Sequence, residues 1–94
     1  MPELSQPSSL RDLRVTRGLD WIAGRLASWH PNDPMTVNAA RSAALRHCID
    51  TYRNDRVANA VLHDLTATLP AVLDTDTRGE YAARVRLLVQ GVTS

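Results

Sequence analysis

Helix breakers in this chain are clustered, and between the clusters apolar residues return at helical spacing. The breakers are His30-Pro31-Asn32-Asp33-Pro34, Asn54-Asp55 and Pro70, with Asp74 and Asp76 beyond it. No intervening stretch alternates with the period of two that a half-buried strand shows. The pattern predicts four helices and no sheet.

The first helix is expected over Leu10–Ser28, capped by Ser8 or Ser9. Val15, Leu19, Ile22, Leu26 and Trp29 form its apolar stripe at ~100° per residue. Gly18 and Gly24 weaken it by roughly 1 kcal/mol each relative to alanine. The second helix is expected over Pro34–Arg53, with Asp33 as cap and Pro34 in the first position. Its stripe is Val37, Ala40, Ala44, Leu45, Cys48, Ile49 and Tyr52. Alanines at positions 39, 40, 43 and 44 make it slim enough to be central.

The third helix is expected over Arg56–Leu69, with Val57, Ala58, Val61, Leu62, Leu65 and Leu69 inward, and it stops at Pro70. Ala71-Val72-Leu73 reads as a short apolar connector with room for one helical turn. The fourth helix is expected over Thr77–Gln90, capped by Asp74, Asp76 or a Thr77–Glu80 capping box. Tyr81, Val85, Leu88, Val89 and Val92 point inward, and Gly91 is its stop.

The expected fold is all-α, a small single-domain bundle of four helices with short connections. Residues 10–94 form the domain. Residues 1–9, with two prolines and three serines, form a flexible tail. A chain of 94 residues suits one core and no more. No apolar run approaches the ~20 residues of a membrane helix. The N-terminus lacks the basic start and apolar core of a secretory signal. The single Cys48 forms no internal disulfide and fits a reducing compartment, so a cytoplasmic location is expected.

The eleven basic residues are all arginine, as in a GC-rich bacterial genome, and ten acids leave a net charge of +1. That balance excludes a nonspecific nucleic-acid coat. His30, His47 and His63 lack the spacing that brings two imidazoles onto one helix face, so no metal is expected. Cys48 falls on the apolar stripe as a buried small hydrophobe, and His47 beside it is expected to be partly exposed. The four glycines form no phosphate loop. Asp74 and Asp76 sit together, but nothing marks a cleft around them. No cofactor is expected.

Two features depart from a plain bundle. Arg41 falls within the apolar stripe of the second helix, where it must snorkel out, pair with an acid such as Asp20 or Asp64, or face a partner. On the first helix, Arg14, Arg17, Trp21 and Arg25 share one face within about 80°, and Arg11 lies close by. Arg17–Trp21 and Trp21–Arg25 are i, i+4 pairs suited to stacking guanidinium on indole. Arginine and tryptophan are also enriched at binding hot spots.

The leading reading is a non-enzymatic protein-interaction or regulatory module. It binds a protein partner or a second copy of itself through Arg14, Arg17, Trp21, Arg25 and Arg41. An alternative follows from Asp20–Ala27 and Thr36–Arg41, which resemble the two helices of a helix-turn-helix motif. That resemblance covers about a quarter of the chain and departs from the motif at the turn, which is longer and holds two prolines. It implies a DNA-binding regulator in which Asn38 and Arg41 reach base edges and Arg46 and Arg53 touch phosphates. A third reading is a small helical enzyme whose Arg41, Arg46 and His47 bind an anionic substrate.

Overall fold

The structure, a computed structural model, describes residues 10–93. The expected tail over residues 1–9, the Ser8 or Ser9 cap and the inward side chain of Val92 lie outside what it describes. The described chain is an all-α domain of four helices: α1 (Leu10–Ser28), α2 (Val37–Thr51), α3 (Asp55–Thr68) and α4 (Arg78–Thr93). No helix is long and apolar enough to cross a membrane.

Helix α1 is the hub. It packs most extensively on α4 and also meets α2 and α3, which pair with each other. Leu19, Ile22 and Leu26 of its stripe are buried together with Val61 and Leu65 of α3 and Tyr81, Ala82 and Val85 of α4. Gly18 sits where α1 and α3 approach each other. A Cβ there would lie 2.8 Å from a Leu65 methyl, so this glycine admits the neighbouring side chain.

Helix α2 is rotated from the expected stripe. Ala40, Ala43, Ala44, His47 and Cys48 are buried, whereas Val37, Leu45 and Ile49 are exposed by 55, 46 and 60 %. The small residues face the bundle because they let α2 approach its neighbours closely. The helix also starts later than Asp33-Pro34. Thr36 is its cap, and its hydroxyl accepts the Ala39 N–H at 3.0 Å.

The residues before that cap belong instead to a tie between two loops. The Met35 N–H donates to the Asp76 carbonyl at 2.9 Å, Arg78 N–H to Asp33 at 2.9 Å, and Gly79 N–H to Pro31 at 2.8 Å. Pro34 and Thr77 form an isolated antiparallel bridge. These long-range bonds overrode the local capping signal.

The connector after α3 has no helical turn. Asp76 does not cap α4. Its carboxylate accepts the Leu73 N–H at 2.9 Å and both oxygens meet Arg84 at 2.6 and 2.7 Å. Arg84 also donates to the Ala71 carbonyl, and the Tyr81 hydroxyl donates to Pro70 at 2.6 Å. The cap of α4 is the Thr77–Glu80 box, with both reciprocal bonds present. Gly91 does not stop the helix, which runs to Thr93. Leu88 is 36 % exposed rather than buried. Asn54 caps α3 by accepting from Arg56 and Val57.

Candidate functional site

Helix α1 ends at Ser28, and His30 then takes a left-handed backbone with φ 54°. Trp29 still donates its backbone N–H to the Arg25 carbonyl at 3.0 Å, yet its side chain is 54 % exposed where a core position was expected. Trp29 and Arg25 are four residues apart, so their side chains meet. The Arg25 guanidinium lies 5.0 Å from the centre of the Trp29 ring and 5.6 Å from that of Trp21. The loop tie brings Arg78, the first residue of α4, to 5.8 Å from the same Trp29 ring. Each such contact at an exposed site contributes about 0.5–1 kcal/mol and fixes the orientation of a long side chain.

These residues form one wall of an open groove of about 490 Å³. The opposite wall is the cap and first ten residues of α2: Thr36, Asn38, Ala39, Ser42, Ala43 and Arg46. Among the described residues, three guanidiniums, one indole, two hydroxyls and one carboxamide line the groove, and no acid does. Among the described residues, only Arg46 of the three arginines has an acidic partner, Asp50 at 3.5 Å. The first turn of α2 carries no acid, so its N-terminal dipole end adds positive potential beside the groove. The Arg78 Nε is buried without a hydrogen-bond acceptor among the described residues. The groove is therefore suited to carboxylate or another oxyanion presented with apolar surface, which arginine and tryptophan recognise together.

Behind the groove lies a ring cluster. The His47 imidazole is 5.3 Å from the Trp21 ring and 6.2 Å from Tyr52, and the Arg14 guanidinium is 5.7 Å from the Tyr52 ring. His47 is 5 % exposed, not partly exposed as its sequence position suggested, because the rotation of α2 turns it inward. Burial holds its pKa below the ordinary imidazole value, against the opposing pull of Asp50. Its Nε2 has no hydrogen-bond partner among the described residues. Burial likewise pushes the Cys48 thiol up.

The sequence-selected residues are divided among several places. Arg25, Asn38 and Arg46 line the groove; Trp21 meets Arg25 and His47, and Arg14 lies apart, over Tyr52. Arg17 is exposed and, among the described residues, stacks on no ring; Arg25 alone meets Trp21. Arg41 lies on the other flank of α2, exposed and without an ion pair among the described residues. Asp64, one of its expected mates, is held by Arg11 through two bonds of 2.7 Å. Arg53 borders the α2–α3 side. Arg41, Arg46 and buried His47 do not line one cavity, so the anion site imagined from them is not assembled.

Sequence reasoning missed Trp29, Arg78 and Ser42. The Arg25–Trp29 spacing was a usable signal for the first. Arg78 had none, because only the loop tie brings it there. Among the described residues no group of three His, Cys, Asp or Glu is placed to hold a metal. Comparison with protein-family models, curated proteins and solved structures returned no match.

Proposed function

We propose that this protein is a non-enzymatic interaction module that docks an acidic protein segment in the groove between α1, α2 and α4. The observation that supports it is the stacking of Arg25 and Arg78 on exposed Trp29, with Arg46 on the facing wall and no acid in the lining among the described residues. Acidic side chains of the partner pair with the guanidiniums, and an apolar side chain covers the indole. The module needs no cofactor or metal. A bacterial cytoplasm suits it, since a lone buried thiol such as Cys48 stays reduced there. Self-association through α2 belongs to the same reading.

The helix-turn-helix alternative keeps one supporting observation: Asn38, Arg41, Arg46 and Arg53 are all exposed on α2 or just beyond it. Leu45 and Ile49 interrupt that surface, and residues 29–36 separate α1 from α2. Apolar side chains on the outer face favour a protein partner over a duplex.

Calorimetric titration with a Glu-rich peptide carrying one leucine tests the proposal, with a Lys-rich peptide and a DNA duplex as comparisons. Binding of the acidic peptide alone is expected, weakened about tenfold or more by Arg25→Ala or Trp29→Ala, the scale of a hot-spot loss. Binding of the duplex alone, lost in Asn38→Ala, supports the alternative instead.

A further inference from the structure

Arg41, which interrupts the apolar pattern of α2, borders a cavity that shares no residue with the Trp29 groove. The cavity is open to solvent and holds about 190 Å³. Ala40 of α2, Leu69 at the end of α3 and Val72 of the connector give it apolar walls. The connector is strapped to α4. The Tyr81 hydroxyl donates to the Pro70 carbonyl at 2.6 Å, and Arg84 donates to the Ala71 carbonyl. The hollow therefore stands ready-made, and a ligand need not order it.

Three polar side chains reach the lining: Arg41, Thr66 and Tyr81. The Thr66 hydroxyl donates back to the Leu62 and His63 carbonyls of its own helix, and Tyr81 donates to Pro70. Arg41 is exposed and has no ion-pair partner among the described residues. No acid lines the cavity among those residues, and Asp64 and Asp76 on the bordering segments are held by Arg11 and Arg84. Arg41 is thus the side-chain donor left for a ligand. Its guanidinium can meet both oxygens of a carboxylate through two parallel N–H bonds. The volume is below the about 300 Å³ at which drug-sized ligand sites begin, so the occupant is small. We propose that this cavity binds a small apolar monocarboxylate. Arg41 holds the carboxylate, and the hydrocarbon tail lies against Ala40, Leu69 and Val72. The site is separate from the Trp29 groove, and neither depends on the other.

Amide NMR shifts of the full chain during titration with hexanoate test this, with hexanol, hexylamine and acetate as comparisons. Hexanoate is expected to give saturable shifts at Arg41, Thr66 and Val72, on the order of millimolar for a ligand of about eight heavy atoms. Hexylamine carries the wrong charge and acetate lacks the tail, so both leave these amides in place. Arg41→Met keeps an apolar stem without the charge and should weaken hexanoate binding about tenfold. Thr66→Trp, at an exposed position, fills the mouth and should abolish the shifts while circular dichroism is unchanged. The proposal is overturned if hexanol binds as tightly as hexanoate, or if Arg41→Met changes nothing. Acetate saturating the same amides shows a surface anion contact only and overturns it as well. So does hexanoate that moves none of these amides at roughly tenfold above the expected range.

Discussion

The Arg25 guanidinium lies 5.0 Å from the centre of the Trp29 ring, across the point where α1 ends and the chain turns. Trp29 stands one residue past the last of α1 and is 54 % exposed, although its spacing is that of the core stripe. The loop tie at Pro31 and Gly79 then places Arg78 beside the same ring. An i, i+4 pair at the end of α1 and a long-range backbone bond together assemble the groove.

The two glycines of α1 should respond in opposite ways to alanine. Gly24 has nothing within 4 Å of a built Cβ, so Gly24→Ala raises stability by up to about 1 kcal/mol through helix propensity. Gly18→Ala drives a methyl against Leu65, which is fully buried and has little room to give. Overpacking of this kind costs about 1–3 kcal/mol, more than the propensity gain. Urea unfolding of both variants measures the two signs.

Stability should depend on His47 below neutral pH. Its folded pKa lies below the unfolded value of 6.5 because burial disfavours the charged ring. The unfolded chain then binds the extra proton, so stability is full above that value and declines as pH falls through the window beneath it. Thermal melts from pH 7 down to about 5 should show this decline, and His47→Met should flatten it. An unchanged slope in the variant assigns the effect elsewhere.

Much of the fold was legible from residues whose local and long-range preferences agree. Leu19, Ile22 and Leu26 lie on one stripe and bury together, and Thr77 with Glu80 forms the capping box its spacing suggests. The readings failed where tertiary contacts compete with local signals. Asp33 and Pro34 look like a helix start, but backbone bonds to Arg78 and a bridge to Thr77 hold them outside α2. Val37, Leu45 and Ile49 look like core, but the alanine face is narrower and packs closer. Of the candidate site, Arg25, Asn38 and Arg46 were visible as residue types. Their meeting with Arg78 was not, because it depends on residues more than thirty positions away.

Asp76 and Arg84 should matter more than their surface-like sequence suggests. The Leu73 N–H, aided by Arg84, holds the Asp76 carboxyl below its ordinary value of 3.8. Its stabilising bonds are present above that value and are lost as pH falls through the lower folded pKa. Arg84→Ala strands a buried carboxylate and frees the strap at Ala71. It should lower the melting temperature by more than Arg56→Ala, an exposed control. Equal shifts in the two variants show that the Asp76 contacts contribute nothing special.

The central claim is that the groove between α1, α2 and α4 is a docking site for acidic protein segments. Amide and indole NMR shifts of the labelled protein, followed during titration with a Glu-rich peptide, test it most directly. The account predicts saturable shifts at the Trp29 indole and the amides of Arg25, Asn38, Ser42, Arg46 and Arg78. The Leu45 and Ile49 amides should stay in place. A titration that leaves the Trp29 indole unmoved, or moves the outer face of α2 instead, contradicts it.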